Sequence, residues 1–477
     1  MNIKTHISFY LLIFAILFAL ISPFLLAEGM FLDGISYATI SNNLANDLGS
    51  FWEPFLTEIL YPEFYEHPPL AFGLQSLWFR VFGDSIWVEK FYSLFTFILV
   101  GIGITKIWKH FTNDIKFAWI PLLFWVIIPS VTWAVSNNIL ENTMSVFVTF
   151  SVFYYLKSRE KNSIFLFFIS GFLLSLSFLT KGFTGLYVLS APFFMWIIFK
   201  KEGFKKMVLH SFLYGIFTIL PLGILFLLIP ESFENISRYF QKQIIGSLQN
   251  TEPTVVTRFQ IIIDFFSAIL PILILGILLF VIGFYKKIDA KIYSKHKQLS
   301  LLFIGITLAG VIPIMVSMKQ SGFYILTVYP FFSIGVGLIF YPLLKKWVEA
   351  INTNSLKFKI WNLFSVLAFS VSLFLVFSNF NKSTRDAEII KASLLIKNKI
   401  EGEKIIDISP SLEENWSLHG YFMRNSSISL SSTKKLVYLY YLTNKKDKQT
   451  VDLEFYKQIP MDLENYFLFK KIESKKP

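Results

Sequence analysis

Four ionisable residues sit where apolar sequence is interrupted. Asp33 follows an apolar run in FLDGISYA, His67 opens HPPLAFGLQSLWFRVFG, Lys181 breaks LSFLTKGFTGLYVL, and Lys319 is the one charge of the turn Ser317 to Gly322. A carboxylate and several nitrogen bases at such positions suit group transfer, in which the carboxylate takes a proton from an acceptor while cations hold an anionic leaving group. The stretch Glu28 to Ser85, 58 residues between two hydrophobic runs, carries eight acids (Glu28, Asp33, Asp47, Glu53, Glu58, Glu63, Glu66, Asp84) against one base, Arg80. In a chain of formal charge +12 that inversion marks this loop as a place for chemistry.

Each residue also has a plainer reading. Lys181 separates two apolar segments too short to place it freely in solvent, and an ionisable group at membrane depth is costly unless functional. A lysine that snorkels to the interface competes with that reading. The flanking Gly182 and Gly185 favour a tight turn with close backbone approach, a geometry that suits a phosphate. Lys319 competes with an ordinary loop lysine, although basic residues are disfavoured on that side. Asp33 competes with a solvated loop acid, and His67 with a structural histidine. Two prolines after His67 start a helix, and Leu70, Leu74, Leu77, Trp78 and Val81 recur at spacings of three or four, so the segment is predicted to lie in the membrane interface. His67 would stand on its N-terminal side, where free N–H groups attract anions.

The elements that position these residues follow from composition. The chain is 54% hydrophobic and 18% aromatic, with 55 Phe and 16% charged residues, and its mean hydropathy is +0.56. Apolar runs near 20 residues recur, which reads as a polytopic membrane protein. Candidate spans lie near 8–27, 86–108, 117–135, 139–156, 163–180, 183–200, 207–229, 261–285, 299–317, 323–344 and 360–379, eleven in all. The first is read as an uncleaved helix, since no small-residue cleavage site precedes Glu28. Lysines then alternate by side: Lys106, Lys109 and Lys116; Lys157, Arg159 and Lys161; Lys200 to Lys206; Lys286 to Lys297; and Lys345 to Lys359 all fall in loops that an inside N-terminus places inside. The positive charge therefore reads as topology, and its scatter over separate loops excludes a nucleic-acid face. With no cysteine, neither a disulfide framework nor a thiolate metal site can form.

The outside-facing loops collect further polar groups: Asn42 and Asn43; Asn137, Asn138, Glu141 and Asn142; Arg238, Lys242, Gln243 and Arg258 in the loop 230–260; and Tyr324 beside Lys319. Residues 1–380 are read as the transmembrane catalytic unit, with outer loops 28–85 and 230–260. After Asn381 phenylalanine thins and charge rises. A helix-like TRDAEIIKASLLIKNK and β-rich runs KIIDIS, KLVYLYYL and NYFLFKKI predict a small soluble α/β domain over 381–477, on the outer side. No GxGxxG, Walker, zinc-spacing or tandem-repeat signal is present.

Taken together, three blocks resemble a known family, the GT-C fold integral-membrane glycosyltransferases, in the branch of the lipid A aminoarabinose transferases and protein O-mannosyltransferases. FLDGISYATIS with YEHPPLAFGLQSLWFRVFGDSIWVEKFYSLF is similar to that family's first outer loop, LSFLTKGFTGLYVL to its LxKG turn, and SMKQSGFYILTVYPFFSIGVG to its Lys, Tyr and YP block. The resemblance implies a transferase that uses a polyprenyl-phosphate sugar donor and a lipid or protein acceptor at the outer face of a bacterial inner membrane. It implies Asp33 as base and His67, Lys181 and Lys319 around the donor phosphate; Arg80, Glu141 and Tyr324, among the outside-facing polar groups, are read beside them as further substrate contacts. It requires no cofactor, and no metal is indicated. Where the family carries a second acid after the Asp, this chain has Gly34, so that role is absent or has moved to Glu28 or Glu66. His67 stands where the aminoarabinose branch has Lys, and the HPP form is that of the mannosyltransferases, so the branch does not identify the acceptor.

The chemistry suits these residues: a sugar leaving phosphate passes through an oxocarbenium-like state, and single displacement with Asp33 as base inverts the anomeric carbon. Three other classes remain. A lipid-linked sugar flippase or transporter would place charge along a path through the bilayer middle. The HPP and LTKG blocks argue against a lipid-linked glycan polymerase or ligase, and a noncatalytic scaffold would not require buried outer-face cations. The topology has a direct test. Alkaline phosphatase joined after Lys382 should be active and joined after Lys291 inactive; the opposite pair would reverse the orientation.

Overall fold

The computed structural model describes residues 3–201, 203–249, 253–287, 289–400, 402–432, 437–450 and 455–472. Part of the expected outer loop (250–252) and parts of the C-terminal domain lie outside them. The chain divides into two units: Met1–Leu25, Tyr65–Ala71 and Lys90–Phe380 form the first, and Leu26–Phe64, Phe72–Glu89 and Asn381–Pro477 the second. The outer loop 28–85, read from sequence as part of the transmembrane unit, thus folds for the most part with the C-terminal residues.

The first unit is helical because apolar side chains in a bilayer leave the backbone no partner but itself. Among the described residues, seven helical runs are long and apolar enough to cross a membrane: Trp87–Thr112, Ile164–Phe199, Phe204–Leu228, Gln260–Tyr285, Lys297–Val316, Gly322–Glu349 and Leu356–Ser378. The expected span 117–135 is a broken pair, Ile115–Val126 and Pro129–Ser136, bent by 84°, because Pro129 disfavours helical backbone at the residue before it and starts a new helix. The expected span 139–156 is the helix Leu140–Lys161, which keeps many polar residues and is buried among its neighbours. The expected first span is the shorter helix Ile3–Ile21. Eleven is therefore a count of helical segments, and length and composition alone do not reproduce it as a count of spans.

Side-chain contacts give the directions. Ser151 Oγ donates to the Ser170 carbonyl at 2.8 Å and Tyr155 meets Phe167 with ring centroids 5.9 Å apart, so Leu140–Lys161 and Ile164–Lys181 are an antiparallel hairpin turned at left-handed Asn162 (φ 47°). Phe167 meets His210 at 5.2 Å, while Ser175 Oγ donates to the Thr218 carbonyl at 2.6 Å. Phe204–Leu228 therefore runs in the same sense as Ile164–Lys181, and the segment between them must return. The 36-residue run Ile164–Phe199 is thus two limbs that reverse just after Lys181. That places Lys181 and Glu141 at one end of the hairpin and Lys157 at the other.

The second unit holds a five-stranded sheet, ordered β2-β1-β3-β5-β4. Its strands are β1 (Ile405–Ile408), β2 (Ser429–Ser431), β3 (Tyr440–Asn444), β4 (Tyr456–Ile459) and β5 (Tyr466–Lys471). β1 is parallel to β2 and β3, and β5 is antiparallel to β3 and β4. Ile406, Leu430, Leu442 and Leu468 are fully buried with Phe422 of the helix Trp416–Ser426. Three strands match the runs expected from sequence, and β2, β4 and that helix add to them.

The same helix holds the outer-loop residues. Thr39 Oγ1 donates to the Gly420 carbonyl at 3.3 Å, the Met30 amide donates to Tyr421 Oη at 2.9 Å, and a Cβ on Gly420 would meet Ile35 at 3.1 Å. Arg424, 2% exposed, pairs with Asp84 and lies 3.3 Å from Glu89, which is 1% exposed. Removing one partner of such a buried pair costs about 3–5 kcal/mol. Arg424→Ala should therefore lower the thermal midpoint of the purified protein strongly, and Arg424→Met with Glu89→Leu should recover part of the loss. A midpoint unchanged in Arg424→Ala would remove the pair as a structural tie.

Candidate functional site

The hairpin Leu140–Lys161 and Ile164–Lys181 ends in an ion pair. Glu141, fully buried in the first turn of one helix, binds Lys181, 6% exposed in the last turn of the other. Each charge is favoured by the helix end that carries it: the acid lies at an N-terminus and the base at a C-terminus. The ammonium is also 4.9 Å from the Tyr324 ring centroid and 5.2 Å from that of Phe323, within cation–π range. Three residues that sequence reading treated separately, Glu141, Lys181 and Tyr324, thus converge on one charge.

The reversal after Lys181 depends on Gly182, which has φ +75°. A Cβ there would lie 2.0 Å from Tyr239 Oη, and that hydroxyl donates to the Lys181 carbonyl at 3.4 Å. Gly185 is equally close-packed: a Cβ would meet Ser177 Oγ at 2.2 Å. The tight turn expected around the two glycines is present, formed as a 3₁₀ stretch from Gly182 to Ser190.

Lys319 is held in a turn that its neighbour fixes. Gln320, 3% exposed, donates from Nε2 to the Ser317 carbonyl at 2.7 Å and the Arg258 carbonyl at 3.0 Å. Its Oε1 accepts from the Ile261 amide at 2.9 Å. Lys319 Nζ donates to Gln243 Oε1 at 3.1 Å. His67 is half-buried, and its imidazole is held well below its ordinary range, first by desolvation and then by the positive charges of Lys181 and Lys319. It is therefore neutral near neutral pH and offers a polar ring in place of a third charge.

A cavity of about 390 Å³ brings these groups together. His67, Lys181, Tyr239, Gln243, Lys319 and Tyr324 line its polar part, and Phe183, Tyr187, Ile244, Leu248, Pro313 and Ile314 are among its apolar walls. Beside it in sequence, Glu66 pairs with Lys242 at 3.1 Å, and the Arg238 guanidinium lies 4.6 Å from the Tyr65 ring centroid. Two ammonium groups, a neutral imidazole and an amide in a cavity otherwise lined by apolar side chains can hold a phosphate that carries a hydrocarbon chain.

Two of the sequence-derived residues belong to the second unit. Asp33 is half-buried in the first turn of the helix Leu32–Ala45, so it is a helical residue where sequence reading had a loop acid. Arg80 is exposed and pairs with Asp47 at 2.9 Å while donating to the Leu44 carbonyl at 3.2 Å. Those partners give Arg80 a capping role at the C-terminus of Leu32–Ala45 that its place in the sequence did not suggest. Of the candidates for a displaced second acid, Glu66 is the partner of Lys242, and the Glu28 amide donates to the Lys382 carbonyl at 2.8 Å. Tyr239 escaped the sequence reading, since it acts on Lys181 through a contact remote in sequence, and Gln320 was passed over inside its block because its contacts to Arg258 and Ile261 are remote in sequence.

A family model described as dolichyl-phosphate-mannose-protein mannosyltransferase matches residues 66–226. The undecaprenyl phosphate-alpha-4-amino-4-deoxy-L-arabinose arabinosyl transferase 1 of Proteus mirabilis is 28% identical over 222 residues, 44% of this chain and 39% of that protein. The corresponding transferase of Wigglesworthia glossinidia brevipalpis is 24% identical over 189 residues, 38% of this chain and 32% of that protein. The chain thus matches less than two-fifths of the length of either curated relative. Among solved structures, ArnT from Cupriavidus metallidurans bound to undecaprenyl phosphate superposes with a TM-score of 0.64 at 12% identity, covering 98% of both chains. The oligosaccharyltransferase AglB from Archaeoglobus fulgidus, in complex with an inhibitory peptide and a dolichol-phosphate, gives 0.53 at 12% identity over 100% of this chain and 75% of its own. The fold is that of the GT-C integral-membrane glycosyltransferases, and the sequence likeness lies with their aminoarabinose-transferase and protein-mannosyltransferase branch.

Proposed function

We propose that the protein is a membrane glycosyltransferase that moves a sugar from a polyprenyl-phosphate-linked donor to an envelope acceptor, a lipid A-like glycolipid or another outer-face acceptor. The observation that carries this reading is one cavity whose lining joins Lys181, Lys319, His67 and Gln243 to apolar residues such as Ile244, Leu248, Pro313 and Ile314. A prenyl chain fits the apolar residues, and the phosphate meets the cations. The relatives support it, since undecaprenyl phosphate is bound in the ArnT structure and dolichol-phosphate in that of AglB.

In this mechanism the sugar–phosphate bond breaks and negative charge grows on the departing phosphate. Lys181 and Lys319 stabilise that charge, and neutral His67 donates a hydrogen bond to it. Glu141, paired with Lys181, holds its side chain in place before the donor arrives. Asp33 takes the proton of the acceptor hydroxyl or phosphate, and attack on the face opposite the phosphate inverts the anomeric carbon. The reaction sits at the outer surface of the inner membrane, with the C-terminal domain on the same side.

The test is transfer of labelled sugar from synthetic polyprenyl-phosphate donors to a membrane extract. Wild type should label a lipid or protein fraction, and Lys181→Ala should reduce the rate by about a hundredfold or more. Asp33→Asn should abolish transfer and leave the fold intact; retained transfer would remove Asp33 as base. Failure of all donors, with folded protein that moves the lipid across the membrane, would favour a flippase. Gly182→Ala should also cost transfer, because the backbone at φ +75° and the Tyr239 ring leave no room for a Cβ beside Lys181. A fully active Gly182→Ala would show that the turn does not set the position of Lys181.

A further inference from the structure

A larger cavity, about 710 Å³, lies at the other end of the same helices. Glu141 and Lys157 stand at opposite ends of Leu140–Lys161, separated by about 24 Å along a helix rising 1.5 Å per residue, and Lys157 lines this second cavity. It is a groove between helices, not an enclosed chamber: Phe14, Ile98 and Ile102 on its lining are 46%, 51% and 43% exposed. Trp125 forms part of the wall and stacks on Phe97 with ring centroids 4.2 Å apart. Exposed apolar side chains on membrane helices face hydrocarbon, so lipid has direct access.

The rim of the groove has the opposite character. Lys106, Lys109 and Lys157 all line it. The Lys106 and Lys157 ammonium groups lie 5.6 and 5.7 Å from the same Phe153 ring centroid, which draws two like charges together. Among the described residues, no carboxylate lies within ion-pair distance of any of the three. The one acid on the rim, Glu160, lies 3.4 Å from His110 Nδ1. The groove therefore concentrates positive charge next to hydrocarbon, on the side that lysine bias assigns to the cytoplasm.

We propose that this groove is a binding site for an anionic phospholipid of the cytoplasmic leaflet. Its phosphate lies among Lys106, Lys109 and Lys157, and an acyl chain runs along Phe14, Ile98, Ile102 and Trp125. Basic pockets between membrane helices on the cytoplasmic side hold anionic headgroups in this way. The inference is independent of the donor cavity, which lies at the opposite helix ends, and it gives the helix bundle a lipid anchor away from the chemistry.

The test uses the full-length protein in phosphatidylcholine vesicles containing either brominated phosphatidylglycerol or brominated phosphatidylcholine. The Trp125 fluorescence, taken as the difference between wild type and Trp125→Phe, should be quenched more by the anionic lipid. Lys106→Gln, Lys109→Gln and Lys157→Gln combined should weaken that preference by on the order of a hundredfold, about fivefold per lysine. The three corresponding Lys→Arg changes should keep it, which separates charge from folding. Equal quenching by both lipids, or a preference that survives the Gln changes, would overturn the proposal. So would loss of the preference on adding inorganic phosphate, which would make the site one for a soluble anion.

Discussion

The Glu141–Lys181 ion pair is the constraint on which the candidate site depends. Neither charge is tolerable alone at that burial, because a charge removed from water costs several kcal/mol unless matched. The pair exists because an antiparallel hairpin brings the N-terminus of one helix beside the C-terminus of the next, and each helix end favours the charge it receives. Gly182 then lets the chain reverse directly after the lysine, and Tyr239 closes over the reversal. The lysine is thereby fixed, with its aromatic neighbours Phe323 and Tyr324 supplied by a segment about 140 residues away in sequence.

From that fixed cation the rest of the cavity follows. Lys319 is placed by Gln320, whose side-chain amide joins three separate backbone groups. His67 is placed by the Pro68–Pro69 start of its helix and stays neutral because two lysines and burial disfavour its proton. The apolar walls are ordinary spanning helices whose side chains suit a hydrocarbon tail as well as they suit each other. A site of this kind needs no nucleotide-binding domain, since the membrane itself concentrates and orients a lipid-linked substrate.

Much of this was legible in the sequence, for physical reasons. Apolar runs report the bilayer, which acts on every residue locally, so the helical segments could be read. The three short blocks around Asp33 and His67, Lys181, and Lys319 were legible because charge amid apolar sequence is rare. Less could be read where the determining contact is distant. The helix Leu32–Ala45 carries Asn42 and Asn43 and little amphipathic pattern, and it is buried by packing on Trp416–Ser426. Strand β2 is three residues long and has no periodicity to detect. The 84° break before Pro129 falls inside a run that hydropathy alone reads as continuous, and the partner of Arg80 emerges only once Asp47 has folded beside it.

The central claim is that the cavity at Lys181 takes a phosphate joined to a hydrocarbon chain. Its most direct measurement is equilibrium binding of a sugar-free polyprenyl phosphate, compared with the polyprenol of the same length, to wild type and Lys181→Ala. The account predicts that wild type binds the phosphate much more tightly than the alcohol and that Lys181→Ala loses most of that difference. Equal binding of the two lipids by wild type, or a preference for phosphate that survives the substitution, would contradict it.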